Sequence, residues 1–359
     1  KLFIHFFVFY KLKMLSTQLK ETFLKNKDPF ADILGQDSAK QGIKSALLTN
    51  RHIIIVGPPG IGKTTLAKNL AKLLPSIDVI EDCDYHCTPD NLVCPSCKQK
   101  KSSKTVKLEG GKRFVRIQGS PDLTVEDLLG DIDPIKALRF GPLSLEAFTP
   151  GKIFKANNGI LFFDELNRCP EKLQNALLQV LEEGKATIGS YDIDFDVNFI
   201  FIGTMNPEDS STEKLSDVLL DRFDIVYMDY PETNEIEKKI ILVKSEKVAN
   251  VSDELLNLIV YFVRLLRDDE KLEKKPSVRA SIGLYERSQS NALLKGRKNV
   301  QFEDIKEVIV SVLSHRIRLK PSVRYLETVE NYLKEQFHKN VEATKWQDQL
   351  DEQESSDYR

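Results

Sequence analysis

The sequence predicts an α/β fold in which a parallel sheet lies between helices, followed by a helical region. Two observations carry this prediction: short apolar runs alternate with helical patterns as far as Pro231, and only helical patterns follow it. The runs are Ile53–Val56, Phe114–Gln118, Ile160–Asp164, Phe199–Thr204 and Ile225–Asp229. Apolar, partly β-branched runs are typical of strands buried on both faces of a parallel sheet, and helices between such strands indicate an α/β sandwich.

Between these runs we predict two helices, over residues 121–129 and 170–183. We also predict an insertion without a long periodic pattern at 130–158 and a hairpin at 186–194. Gly184 ends the second helix, and Gly189-Ser190 supplies the turn of the hairpin. After Pro231 we predict helices over 232–248, 252–267, 277–295, 302–318 and 322–338.

The chain therefore divides into four predicted segments. They are an N-terminal segment (1–27), an α/β core (28–231), an all-α domain (232–340) and a polar, disordered tail (341–359). The first residues, Leu2 to Tyr10, form an apolar run too short to cross a membrane. Our hypothesis is that residues 1–13 are not native, with a membrane-surface anchor and a packed segment as the alternatives. Peptides from before Met14 in the native protein would end that hypothesis.

Composition and charge limit the classes of function. The chain has 359 residues, 41% hydrophobic and 30% charged, which is ordinary for a globular protein of about two domains. Its formal net charge of −2 gives no broad positive field for nucleic acid. No apolar run approaches the ~20 residues of a membrane span. We expect a cytoplasmic protein for which nucleic acid is not the favoured partner.

The most informative stretch is GPPGIGKTT, which directly follows the first apolar run. It matches the spacing of a phosphate-binding P-loop, in which glycines let backbone N–H groups surround a polyphosphate at a helix N-terminus. Lys63 is expected to reach the β- and γ-phosphates, and the Thr64 hydroxyl to bind Mg²⁺. The alternative is a fortuitous strand-to-helix turn. The predicted nucleotide-binding residues of this stretch are Gly57, Pro58, Pro59, Gly60, Ile61, Gly62, Lys63, Thr64 and Thr65.

The third apolar run ends in two carboxylates, Asp164 and Glu165, as in a Walker B element. Ligands bind at the carboxyl edge of open α/β sheets, where these acids are predicted to emerge. Asp164 is expected to hold Mg²⁺, and Glu165 to polarise the water that attacks the γ-phosphate. The alternative interpretation is a strand followed by an acidic helix cap.

Three further residues are candidates for this chemistry. Asn206 follows the fourth run, where an amide that both donates and accepts can orient water; the alternative is a turn before Pro207. Arg222 precedes the fifth run, and Arg279 begins a predicted helix. Arginine supplies positive charge against the γ-phosphate in phosphoryl transfer. For both arginines the alternative is an ordinary surface side chain.

The motifs GPPGIGKTT, ILFFDE, GTMNP, LLDRFD and PSVRA, in this order, resemble those of AAA+ ATPases. More narrowly, they are similar to the branch of the magnesium-chelatase ATPase subunit and the MoxR-type proteins. The resemblance covers residues 28–320. It implies a P-loop NTPase core with sheet order 5-1-4-3-2, a helical lid domain, and ATP and Mg²⁺ as ligands.

The same resemblance implies roles for single residues. Gln36 lies near adenine, Asn206 is sensor 1, Arg222 is the arginine finger acting on a neighbouring subunit's ATP, and Arg279 is sensor 2. A hexameric ring follows, with ATP at each subunit interface. The insertion at 130–158 and the hairpin would face a central pore or a partner. That partner would be a protein client or a von Willebrand-type metal-binding protein.

Four of the five cysteines are clustered, as Cys83, Cys87, Cys94 and Cys97. Four thiolates can form a closed tetrahedral zinc site, although the gap between the pairs is shorter than usual. Redox-active or free thiols are one alternative, and a zinc site in which His86 replaces a cysteine is another.

The function we favour is an ATP-driven enzyme that remodels a protein partner, with metal insertion by a chelatase as one form of this activity. An MCM-like DNA motor is the second hypothesis, against which the near-zero net charge counts. A GTP-dependent switch is the third. The chain offers only Asn26-Lys27-Asp28 as a base-reading motif, at the wrong spacing and position.

Overall fold

The computed structural model describes residues 15–26, 28–30, 32–99, 104–142, 144–188, 193–207 and 215–342. The predictions for residues 1–13, for the Gly189-Ser190 turn and for the tail beyond Glu342 lie outside these ranges. Two compact units are present. The first unit comprises Lys1–Gly57 and Gly62–Met228, and the second comprises Pro58–Ile61 and Asp229–Arg359.

The first unit alternates strands and helices. Its helices are α1 (15–25), α2 (Asp37–Leu48), α3 (Lys63–Leu73), α4 (Pro95–Gln99), α5 (Val125–Leu129), α6 (Pro134–Phe140), α7 (Lys152–Lys155), α8 (Glu171–Glu183) and α9 (Asp217–Leu220). Its strands are β1 (His52–Val56), β2 (Ile77–Ile80), β3 (Thr105–Leu108), β4 (Phe114–Gln118), β5 (Gly130–Ile132), β6 (Phe148–Pro150), β7 (Gly159–Asp164), β8 (Lys185–Ile188), β9 (Ile193–Asp196), β10 (Phe199–Met205) and β11 (Phe223–Tyr227).

Five of these strands form one parallel sheet in the order β11-β1-β10-β7-β4. Numbered along the chain, this is the order 5-1-4-3-2, so the predicted fold class is confirmed. The central strands are buried because their side chains are apolar on both faces, as Ile53, Leu161 and Phe201 show. Polar residues that follow β1, β7 and β10 therefore meet at one carboxyl edge.

The fifth strand begins and ends two residues earlier than predicted, at Phe223 and Tyr227. It lies at the edge of the sheet, where a charged residue is tolerated. Asp224 pairs across the sheet with Ile53, and its carboxylate lies 3.6 Å from the guanidinium of Arg51. The apolar run alone could not reveal that a strand begins before this aspartate.

The connecting segments contain more structure than the sequence predicted. The 121–129 helix begins only at Val125, because Thr124 and Asp127 form a capping box there. The 130–158 insertion contains the antiparallel pair β5–β6 and the helix α6. The predicted hairpin is present as β8–β9, with Lys185 opposite Asp196.

The second unit is helical, with an antiparallel pair that the sequence did not predict. Its helices are α10 (Asn234–Lys244), α11 (Asp253–Asp268), α12 (Val278–Leu294), α13 (Phe302–Leu313), α14 (Pro321–Arg324) and α15 (Val329–Phe337), and its strands are β12 (Leu272–Lys274) and β13 (Arg318–Leu319). A buried ion pair joins three of these helices: both Arg267 head nitrogens lie 2.6 Å from the Glu237 carboxylate, which also accepts from Ser281. In the described residues, no helix is both long and apolar enough to cross a bilayer.

Three helix predictions in this unit were wrong at their ends or in their continuity. The helix predicted over 232–248 ends at Lys244, because Ser245 has an extended backbone conformation. The helix predicted over 302–318 ends at Leu313, because Arg318 and Leu319 pair with β12 instead. The helix predicted over 322–338 is split into α14 and α15, because Thr328 caps a new helix by accepting a hydrogen bond from Asn331 N (3.3 Å).

His52, the first residue of β1, makes the free energy of unfolding depend on pH. Its Nδ1 accepts a hydrogen bond from Phe201 N (3.1 Å), and burial lowers the pKa of His52 from 6.5 to about 4. The unfolded chain therefore binds the proton first as pH falls. We expect the free energy of unfolding to decline between about pH 6.5 and 4, with His52 contributing about 2 kcal/mol of the loss between pH 7.5 and 5. Urea denaturation at these two pH values should show a smaller loss for His52→Gln; equal losses would contradict the assignment.

Candidate nucleotide-binding site

The glycine-rich stretch connects β1 to α3. Gly60 and Gly62 have φ values of 78° and 101°, a left-handed conformation in which other residues are strained. Helix α3 begins at Lys63, so the N–H groups of its first turn have no partner within the helix. The Lys63 ammonium donates to the carbonyl of Gly57. A backbone that curls ahead of a helix N-terminus, with an ammonium beside it, fits a polyphosphate.

The two residues predicted to hold Mg²⁺ lie side by side. Asp164 is the last residue of β7, and its Oδ2 is 3.4 Å from Thr64 Oγ1. Thr204, from the neighbouring strand β10, donates to Asp164 Oδ1 at 2.7 Å and fixes the carboxylate. Hydroxyl and carboxylate oxygens are hard donors of the kind that Mg²⁺ prefers, so the donor set fits this ion.

Glu165 follows Asp164 in a left-handed conformation, with φ at 55°. Its backbone N–H donates to Thr204 Oγ1 (2.9 Å), and its Oε2 accepts from Gln118 Nε2 (2.8 Å). Arg168 NH1 lies 3.1 Å from the same oxygen. A Cβ at Gly119 would lie only 2.1 Å from the Glu165 carbonyl oxygen, so only glycine permits this approach. The carboxylate is thus held in place while remaining partly exposed, as a group that polarises water requires.

Sequence reasoning missed Arg116, Gln118 and Thr204. Arg116 NH2 lies 2.6 Å from Asp164 Oδ2 and also donates to Gln118 Oε1 at 2.9 Å. These contacts follow from the sheet register, in which Gln118 pairs with Asp164. Polar residues alternating with Val115 and Ile117 on β4 were the available signal. That signal becomes informative only once β4 is known to lie beside β7.

Two other predicted residues of the first unit, Asn206 and Gln36, are placed by the ends of the elements next to them. Asn206 directly follows β10. In the sheet, β10 lies between β1, which leads into the P-loop, and β7, which ends in Asp164. Gln36, in a left-handed conformation, precedes α2. Close to it along the chain, Ile33 Cδ1 is 3.6 Å from the position a Cβ would take at Gly62. The segment predicted to contact adenine thus adjoins the P-loop.

The two arginines lie in different surroundings. Arg222 is 38% exposed at its side chain, and its guanidinium pairs with Glu182 and with Asp221 (3.1 Å). Among the residues that the structure describes, its ion-pair partners do not include Asp164 or Glu165. Arg279 lies in the second unit and is exposed. In that unit its Cδ is 3.3 Å from the position a Cβ would take at Gly60.

The four clustered cysteines converge in the first unit. Their sulfur atoms all lie within 4.8 Å of one another, and His86 is not part of the group. The fifth, Cys169, is a separate buried thiol.

Comparisons with known proteins agree with these motifs. Three family models match the chain: "ATPase family associated with various cellular activities (AAA)" over residues 92–225, "AAA lid domain" over 266–334 and "Magnesium chelatase, subunit ChlI" over 29–102.

Similar curated proteins include a magnesium-chelatase subunit ChlI homolog of Methanocaldococcus jannaschii, 29% identical over 87% of this chain and 93% of its own. The chloroplastic magnesium-chelatase subunit ChlI of Nicotiana tabacum is also 29% identical, over 84% and 76%. The uncharacterized protein YeaC of Bacillus subtilis is 28% identical, over 78% and 82%.

Among solved structures, a model of the complex between subunits BchI and BchD of magnesium chelatase is 23% identical, with a TM-score of 0.46, over 85% of this chain and 98% of that chain. The Thermotoga maritima RuvB Holliday junction branch migration motor is 17% identical, with a TM-score of 0.44, over 78% and 70%. Family models for AAA ATPases, for the AAA lid domain and for magnesium-chelatase subunit ChlI thus match successive parts of this chain, whose ordered motifs and sheet order resemble those of AAA+ ATPases.

Proposed function

We propose that this protein is an ATP-hydrolysing motor that remodels a protein partner, as a subunit of a magnesium-chelatase-like or MoxR-like assembly. The observation that carries the proposal is the carboxyl-edge group, in which Thr64, Asp164, Thr204 and Glu165 come together beside the P-loop. The match of residues 92–225 to the AAA ATPase family model supports hydrolysis of ATP as the reaction that this group serves.

Each residue of the group has a separate task in this proposal. The P-loop N–H groups and Lys63 bind the triphosphate, with the lysine leaving the Gly57 carbonyl for phosphate oxygen. Thr64 and Asp164 would hold Mg²⁺, which would supply positive charge that neutralises the phosphates. Glu165 accepts a proton from the attacking water, and Gln118 positions its carboxylate. Asn206 orients the water or the γ-phosphate from the end of β10.

The oligomeric part of the proposal rests on Arg222. Within one chain its guanidinium pairs with Glu182 and Asp221 at the surface, so it is available to a second copy more readily than to its own P-loop. Head-to-tail contacts of this kind form a ring when the rotation between neighbouring subunits closes. We propose a hexamer in which Arg222 completes the neighbour's site, Arg279 contacts the nucleotide as sensor 2, and Gln36 lies near adenine.

The partner is proposed to be a protein, either a client or a von Willebrand-type metal-binding subunit. Several relatives are named as magnesium-chelatase subunits, and a subunit acts with others. A cytoplasmic location remains a prediction, because the tobacco relative is named chloroplastic.

Replacing the P-loop lysine tests the nucleotide site directly. We expect Lys63→Ala to reduce ATP binding and Mg²⁺-dependent phosphate release by at least about 100-fold, because it removes the one side-chain cation of the P-loop. Lys68→Ala is the matched control, since Lys68 is exposed on the same helix α3. Equal binding and turnover in both variants would refute the assignment.

A further inference from the structure

The four-cysteine group has the dimensions of a single metal site. Cys83 Sγ lies 3.8 Å from Cys94 Sγ and 3.5 Å from Cys97 Sγ, and every sulfur lies within 4.8 Å of the others. A zinc ion bound by four thiolates at about 2.3 Å separates neighbouring sulfurs by about 3.8 Å. The observed spacing is therefore that of thiolates arranged around one tetrahedral ion.

The surroundings fit thiolates whose negative charge is matched by a bound cation. Backbone N–H groups point at two of the sulfurs: Val93 N is 3.1 Å and Cys94 N is 3.4 Å from Cys87 Sγ, and Cys97 N is 3.4 Å from Cys94 Sγ. Donors of this kind stabilise sulfur that carries negative charge. Three of the four cysteines are buried in the core of the unit, where four unmatched thiolates would repel one another.

The alternative uses of these cysteines fit less well. All four are free, and their sulfurs are far beyond the ~2.05 Å of a disulfide bond. An iron–sulfur cluster places several irons and sulfides between its cysteines, and so holds them further apart than one ion does. His86 does not join the group.

We propose that Cys83, Cys87, Cys94 and Cys97 bind one structural Zn²⁺. A cavity of about 620 Å³, lined in part by Cys83, Cys94 and Cys97, gives the ion a route from solvent. Because all four positions are taken by protein ligands, the ion has no open position for a substrate. The site requires no nucleotide, so the zinc proposal can be tested independently of the proposed ATPase role.

Two hydrogen bonds hold the cysteine-bearing loop, residues 83–97, against the beginning of β7, the strand that ends in Asp164. The carbonyl of Tyr85 accepts from Asn157 Nδ2 (2.8 Å), and that of His86 accepts from Asn158 Nδ2 (3.2 Å). Both asparagines immediately precede β7, which begins at Gly159. The proposed zinc therefore fixes the loop that braces the start of β7, at the opposite end from the catalytic carboxylates.

Metal analysis of the full chain, purified under reducing conditions without chelator, tests the proposal. We expect about one zinc per chain in the unmodified protein and in Cys169→Ser, and at least about tenfold less in Cys97→Ser. Cys169 is the matched control, because it is a buried cysteine outside the group. Cys97→Ser should also melt at a lower temperature than Cys169→Ser, because a structural zinc contributes to folding.

A second measurement on the unmodified protein covers the case in which Cys97→Ser fails to fold. Titration with a mercurial thiol reagent should release zinc as the thiols of the group react, and Co²⁺ uptake should give the spectrum of a tetrahedral thiolate site. Negligible zinc together with no Co²⁺ uptake, iron with acid-labile sulfide, or full zinc content in folded Cys97→Ser would each overturn the proposal.

Discussion

Glu165→Gln is expected to lower the rate of ATP hydrolysis by about 10²–10⁴-fold while leaving ATP binding intact. The amide cannot accept a proton from the attacking water, but its oxygen can still accept the hydrogen bond from Gln118 that positions the side chain. The substitution therefore removes the charge and the proton affinity of the side chain but retains its shape. Steady-state phosphate release and equilibrium binding of ATP measure the two properties separately.

Glu171→Gln is the matched control for this variant, because Glu171 is an exposed glutamate in the first turn of α8. Its turnover should equal that of the unmodified protein. Turnover of Glu165→Gln at the level of Glu171→Gln would show that another group activates the water. The trapped ATP-bound variant is also suited to capturing the partner, because it should hold the partner without releasing it.

Arg222→Ala is expected to lower hydrolysis by about 10³-fold or more, as loss of an arginine finger does, while each chain still binds ATP. The guanidinium lies at the surface of its own chain, paired with Glu182 and Asp221, so its effect would be exerted on a neighbour. Phosphate release at saturating ATP and Mg²⁺ measures the loss, and light scattering shows whether the assembly persists.

Arg51→Ala is the control for Arg222→Ala. Arg51 is also an exposed arginine with a carboxylate partner, Asp224, and the next residue, His52, pairs with Phe223, so this variant disturbs the same end of the sheet without removing Arg222. Loss of a surface ion pair of this kind costs little stability. Normal turnover in Arg222→Ala, or an equal loss in both variants, would contradict the finger assignment.

The sequence predicted those parts of the site that depend on local pattern. GPPGIGKTT carries its own backbone conformation in Gly60 and Gly62, and a buried strand that ends in Asp164 and Glu165 needs no further context. Arg116 and Gln118 could not be found in this way. Their contacts with the carboxylates depend on which strand lies beside β7 and in which register, and both are properties of the assembled sheet.

The same distinction applies to the fold. Helices with strong apolar periodicity, such as α11, were predicted closely. The end of α13 was not, because Arg318 and Leu319 leave a helical pattern to pair with β12, about 45 residues earlier in the chain. The break between α14 and α15 at Thr328 rests on one capping hydroxyl inside a pattern that otherwise continues.

Mixing the two catalytic variants tests most directly whether an adjoining copy completes the nucleotide site. Arg222→Ala retains Glu165, and Glu165→Gln retains Arg222, so a mixed ring contains some interfaces in which both groups are intact. Equal mixing should restore about a quarter of the unmodified activity, since a random ring pairs the two variants productively at one interface in four. A mixture no more active than the sum of its separate parts would contradict the shared site.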